Sequence, residues 1–270
     1  MNRSFASVCR CLALAVLLAV SGGWLQLSAA ALVARTWDVE GVKREGLIAV
    51  PAIIPSAGAP LVFVFHGHGG SSAQVARSMP VHELWPDAVV VYLQGLPTPG
   101  QLTDTAGRKA GWQKGPGAQD DRDLKFFDHV HATLTKELKI DPRRIYATGH
   151  SNGGGFTYLL WATRRDVFAA FGPSAAVAGR DYPALQPAPV IHVAGTNDRL
   201  VKYAWQEAML ARLKRINHCA DAGTREGDRF TRYDSPLGAP VVTYLHDGGH
   251  RFPPEATQAI VTFFQSQTRE

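Results

Sequence analysis

Five short apolar runs, rich in β-branched and aromatic residues and separated by longer amphipathic stretches, constrain this chain more than any other feature. They lie at residues 61–65 (LVFVF), 88–93 (AVVVYL), 144–148 (RIYAT), 190–194 (VIHVA) and 241–245 (VVTYL). Continuous runs of this length suit strands buried on both faces. Helical patterning occupies 121–138, 153–164, 203–216 and 254–267. Strand and helix in alternation predict an α/β fold with a mostly parallel central sheet flanked by helices. Residues 35–40 and 46–50 are expected to form an antiparallel opening pair.

A chain of 270 residues that is 46% hydrophobic can bury one large core, and no repeat, low-complexity tract or linker divides it. One domain over residues 32–270 is expected. Residues 1–31 read as a signal peptide: Arg3 and Arg10 precede an apolar run at 11–20, and the small residues Ser28, Ala29, Ala30 and Ala31 follow. Export to a secreted or periplasmic location follows from that reading. An uncleaved anchor ranks second, because Ser21, Gly22, Gly23 and Gln26 interrupt the apolar stretch. No stable membrane insertion is expected once the leader is removed.

Net charge is +5, and loss of Arg3 and Arg10 with the leader leaves +3. With no basic run of five or more residues, the charge reads as a solvated surface and argues against nucleic acid as a partner. Cys9 and Cys11 fall in the leader, so Cys219 stands alone in the mature chain and no disulfide framework holds it.

The chemistry begins at Gly149-His150-Ser151-Asn152-Gly153, which follows the run at 144–148 and opens a Gly-rich helix start. Strand, tight turn and helix in that order are the context of a nucleophile elbow, where glycines avoid collisions and the serine is pushed out at the top of the sheet. A serine needs a base, and the base an orienting carboxylate. In the α/β-hydrolase fold these follow in the order Ser, acid, His. Asp198 lies directly after the run at 190–194, with Asp181 and Asp247 as outside possibilities. His250, in Gly248-Gly249-His250 before the last helix, is the expected base and His246 the fallback; His192 reads as a core histidine and His218 as a helix-end residue.

Acyl transfer also needs donors for the developing oxyanion. The backbone N–H of Asn152 and that of His68, in the loop His66-Gly67-His68-Gly69-Gly70 after the first run, are the expected pair. His66 and His68 lack an accompanying Cys, Asp or Glu at ligand spacing, so no metal and no cofactor are implied. Trp112, in the irregular Gly- and Pro-rich stretch 94–121, is a candidate substrate-binding wall of the pocket, with loop packing as its alternative role.

Taken together, His66-Gly-His-Gly-Gly70, Gly111-Trp112, residues 141–154 (DPRRIYATGHSNGG), Gly195-Thr-Asn-Asp198 and Gly248-Gly-His250 resemble the polyhydroxybutyrate depolymerase and feruloyl esterase family. The resemblance covers nearly all of the chain after the leader. It implies an α/β-hydrolase serine esterase with Ser151 as nucleophile, Asp198 as acid, His250 as base and His68 at the oxyanion loop, acting on a small or oligomeric ester. In one departure, many members carry Cys in or near the early loop and pair further cysteines, whereas position 68 here is His. Rival readings are a serine peptidase of the same fold and a non-catalytic secreted binding protein. Because the chain ends one helix after His250, soluble or oligomeric esters are expected as substrates rather than insoluble polyester.

Overall fold

The apolar runs become strands of a single ten-stranded sheet in the computed structural model, which describes residues 30–180 and 182–270. Nearly all of the expected signal peptide, and Asp181, lie outside the described residues. The strands are β1 (Val33–Val39), β2 (Val42–Ala49), β3 (Ala59–Phe65), β4 (Val89–Leu93), β5 (Leu96–Pro97), β6 (Ala110–Gly111), β7 (Ile140–His150), β8 (Ala170–Ser174), β9 (Val190–Gly195), β10 (Thr224–Arg225), β11 (Phe230–Tyr233) and β12 (Val241–His246). Of these, β5 and β6 form a small ribbon of their own, and the rest run in the order β1-β2-β4-β3-β7-β8-β9-β12-β11-β10. The six from β4 to β12 are parallel, and antiparallel strands close both edges.

Every residue of β3 and β4 is buried, as continuous apolar runs require. Alternate side chains feed two separate cores. Leu61, Phe63 and Phe65 pack with Phe127, Phe156 and Leu210 from α3 (Arg122–Glu137), α4 (Asn152–Arg164) and α5 (Tyr203–Ile216). Val62 and Val64 join Val75, Val81 and Ile260 from α1 (Ser72–Ser78), α2 (Val81–Leu84) and α6 (Ala256–Gln265) on the other face. Truncating one such ring, Phe63→Ala for example, costs about 3–5 kcal/mol through lost burial and the cavity left behind.

The position of the site follows from the strand order. From β3 the chain moves through α1 and α2 to β4 on one side, then returns through α3 to β7 on the other. Phe65 and Gly149 therefore lie side by side at the C-terminal ends of β3 and β7, where the outgoing chains diverge. Open parallel sheets bind ligands in this crevice.

Several features differ from the expectation, the short strands β5, β6, β10 and β11 among them. The short helices α1 and α2, broken at Pro80, and the strand β8 (AFGPS) carry no strong periodicity. Pro173 is tolerated in the middle of the sheet, level with Gly149, and its neighbours are held by Ser151 N–H and Ala175 N–H bonds to strand carbonyls. Among the described residues no helix is long and apolar enough to cross a membrane. The Cys219 thiol is half-buried against the Tyr233 carbonyl, and burial pushes its pKa up, which keeps it a protonated, weakly reactive group.

Candidate active site

Between the last residue of β7 and the first of α4 only Ser151 remains to turn the chain, and it does so at φ 57°, ψ −119°. An L residue there stores roughly 1–3 kcal/mol of strain, which the surroundings must impose. They do so by leaving no room. A Cβ on Gly149 would fall 2.6 Å from the Gly153 carbonyl, one on Gly153 2.2 Å from Phe65 O, and one on Gly154 2.6 Å from Ser174 O. Ser151 N–H donates to Ser174 O (2.8 Å), so the end of β8 anchors the turn.

The loops after β9 and β12 bring Asp198 and His250 to this serine. His250 Nε2 lies 2.8 Å from Ser151 Oγ, and His250 Nδ1 lies 2.8 Å from Asp198 Oδ2. The Asp198 side chain is fully buried, while that of His250 is 24% exposed. Asp198 Oδ1 accepts the N–H groups of Leu200 (2.9 Å) and Val201 (3.0 Å), and Oδ2 also accepts from Gln206 Nε2 (3.1 Å). A carboxylate so held fixes the imidazole with Nδ1–H inward, leaving the Nε2 lone pair facing the hydroxyl. This arrangement can take the proton from Ser151 as its oxygen attacks a carbonyl carbon.

Behind Asp198 runs a buried polar chain. Gln206 Oε1 accepts from His192 Nε2 (3.3 Å), and His192 Nδ1 accepts from the Tyr158 hydroxyl (2.8 Å). Burial pushes the His192 pKa down to about 4, so its ring is neutral near pH 7 and the donor direction toward Asp198 is fixed. The two other candidate bases, His246 and His218, lie elsewhere. His246 ends β12 with Nδ1 accepting the Gly248 N–H (3.1 Å), and His218 is exposed just after α5. Asp247 lends only its carbonyl, to Asn197.

The early loop passes beside the serine: a Cβ on Gly67 would lie 3.5 Å from Ser151 Cβ. Neither the His68 nor the Asn152 backbone N–H donates to another group among the described residues. His66 is buried, its Nδ1–H donating to Gly67 O (2.8 Å) and its Nε2 accepting the Gly95 N–H (3.0 Å), so the ring braces the loop. The His68 ring meets Asp104 (3.0 Å) instead. Among the described residues no group of three or more His, Cys, Asp or Glu could hold a metal ion.

Trp112 requires a correction. Its indole is 1% exposed, stacked on Phe156 (5.1 Å) and edge-on to Phe65 (5.2 Å), with Nε1 donating to His66 O (2.9 Å). It belongs to the core and cannot stack on a substrate. What residue 112 does supply is a backbone clamp, its N–H donating to Asn152 Oδ1 (2.7 Å) and its carbonyl accepting from Asn152 Nδ2 (3.2 Å). The aromatic walls of the cavity are Trp205, 43% exposed, and Tyr182. The cavity has a volume of about 710 Å³ and opens onto Ser151, Asn152 and His68. One face of α5 lines it: Trp205, Ala208, Met209 and Arg212 recur at helical spacing.

No protein-family model matches the chain. In sequence it is similar to feruloyl esterase B of Piromyces equi, 31% identical over 154 residues that make up 54% of this chain and 27% of that protein. It is also similar to feruloyl esterase D of Neurospora crassa, 28% identical over 211 residues, 70% of this chain and 67% of that one. The chain thus spans about a quarter of the first relative and two thirds of the second. In structure it is similar to the acetyl xylan esterase from Aspergillus awamori (TM-score 0.63, 12% identity, 86% of this chain and 99% of that one). The Bacillus cereus carboxylesterase is a further match (TM-score 0.59, 16% identity, 82% and 93%). The chain is an α/β-hydrolase-fold protein with feruloyl esterases among its sequence relatives.

Proposed function

We propose that this protein is a serine esterase that cleaves carboxylic esters through an acyl-enzyme. The observation that carries the reading is the hydrogen-bonded line from Asp198 through His250 to Ser151, ending in a cavity large enough for a drug-sized ester. Ser151 Oγ attacks the ester carbonyl while His250 Nε2 takes its proton. The oxyanion is met by the backbone N–H groups of Asn152 and His68, the first at the N-terminus of α4, whose dipole favours negative charge. His250 then returns the proton to the departing alcohol, and a water activated by the same base releases the acid. These steps call on no metal or cofactor.

The substrates are feruloyl or other aryl esters, as the names of the sequence relatives suggest, with hydroxybutyrate-type oligomers as the alternative acyl class. Residues 1–31 act as a signal peptide, so the enzyme works outside the cytoplasm. The test is a panel of methyl ferulate, para-nitrophenyl esters and soluble hydroxybutyrate oligomers with wild type and Ser151→Ala. Removal of the nucleophile is expected to lower kcat by at least ~10³ on every cleaved ester while the protein stays folded. Ser151→Ala turning over at a near wild-type rate would refute the mechanism.

A further inference from the structure

The charge of the cavity is one-sided. Lys114, Arg180 and Arg212 line it, and among the described residues no carboxylate does. The chain as a whole is nearly balanced, 28 Lys and Arg against 23 Asp and Glu, so the lining is more basic than composition requires. Nor does any of the three cations belong to an ion pair among the described residues, although eight arginine or lysine side chains elsewhere do. Arg212 is the most telling, because α5 fixes its direction. It completes the face formed by Trp205, Ala208 and Met209, seven residues and about 10 Å of helix beyond Trp205.

An apolar and aromatic wall ending in a guanidinium with no ion-pair partner among the described residues is complementary to a ligand of the opposite construction. Resting on the esterase reading above, we propose that the preferred substrate is an ester whose acyl or alcohol part bears a free carboxylate. Its apolar body lies against Trp205, Met209 and Tyr182, and its carboxylate is met by Arg212 with help from Arg180 and Lys114. A guanidinium suits this task because its planar donor fork matches a carboxylate and keeps its charge at any working pH. Cations grouped in a cleft with low-dielectric walls also raise the local concentration of anionic substrate.

The experiment compares matched ester pairs differing only in that charge. One pair is 4-acetoxybenzoate and 4-acetoxybenzamide, with the charge on the alcohol side; the other is monomethyl adipate and its carboxamide, methyl adipamate, with the charge on the acyl side. Each kcat/KM is divided by the hydroxide-catalysed rate of the same ester to remove intrinsic reactivity. Wild type is expected to favour the anionic member of at least one pair by roughly tenfold or more, mainly through KM, as a charge-assisted hydrogen bond supplies. Arg212→Gln should shrink that ratio to about threefold or less, and Arg180→Gln should shrink it by a smaller factor. A wild type that treats both members alike or prefers the neutral one in both pairs would overturn the proposal, as would a preference that survives in Arg212→Gln. Calorimetric binding to Ser151→Ala separates this from failure of the esterase reading. 4-Hydroxybenzoate should bind and 4-hydroxybenzamide bind at least about tenfold more weakly. Equal binding of the two would sink the anion site even if esters are hydrolysed, and the expected difference would uphold it even if the pairs are not.

Discussion

Two aspartates in this molecule are equally buried and do opposite things. Asp123 is 0% exposed and faces the guanidinium of Arg44 (2.7 Å), itself 1% exposed and lying over the Phe126 ring (4.1 Å). Its other oxygen accepts the Gln113 N–H (2.8 Å), and Gln113 Oε1 accepts the N–H groups of Asp123 and Leu124. Asp198 is also 0% exposed in its side chain, but its partners are two backbone N–H groups, an amide and an imidazole. A guanidinium cannot give up its proton at any working pH, so the first pair can only hold β2, α3 and the segment after β6 together. An imidazole can, and the far side of His250 reaches a hydroxyl and a cavity. Burial is common to both; what makes one site chemical is a partner able to change protonation state with solvent on its other side.

The same substitution at the two positions should therefore break different properties. Asp198→Asn removes the acceptor that orients His250 and is expected to lower kcat on the order of 10³-fold, with a modest effect on stability. Asp123→Asn leaves Arg44 buried without its counter-charge, and burial already lowers the Arg44 pKa. It is expected to cost about 3–5 kcal/mol in urea unfolding, with kcat per folded molecule close to wild type. Reversal of the two outcomes would mean that the roles have been exchanged.

A smaller effect sharpens the contrast through pH. His192 stands behind Asp198 with a folded pKa of about 4, below the ordinary value of 6.5 that the unfolded chain restores. Between those values the unfolded chain binds a proton that the folded one refuses, so stability is full above about pH 6.5 and falls as pH drops toward 4. The loss attributable to this residue is at most about 3 kcal/mol. Urea midpoints from pH 7.5 to 4.5 measure it, and His192→Asn should flatten the slope. An unchanged slope would assign the acid sensitivity to other groups.

How far the sequence reveals all this depends on whether a feature is local. Ser151 is legible because strand, Gly-x-Ser-x-Gly and helix are contiguous, and the steric demand on Gly149 comes from Gly153, four residues on. Asp198 and His250 are readable as loop residues after apolar runs, and the structure brings both to Ser151. By contrast, Trp112 sits in an irregular Gly-rich stretch that resembles a surface loop. Only the fold supplies Phe65, Phe156 and the His66 carbonyl that take its ring inward. Trp205, Gln206 and Arg212 are hidden for the same reason. They belong to one amphipathic helix, and which turn faces Asp198 or the cavity is decided by how α5 packs on β9 and β12. β8 escapes notice because AFGPS has neither the length nor the β-branched content of the other strands.

If Ser151 is a nucleophile activated by His250, a fluorophosphonate should trap it. Attack by Ser151 Oγ on phosphorus expels fluoride as the proton passes to His250, leaving a stable phosphonyl ester in place of the acyl-enzyme. Intact-mass spectrometry with peptide mapping should find one adduct per chain, on the peptide containing Gly149-His150-Ser151-Asn152-Gly153, with ester hydrolysis lost in proportion. Ser151→Ala should take up none, and His250→Ala should react far more slowly. An adduct on another residue with hydrolysis intact, or undiminished labelling of Ser151→Ala, would contradict the account.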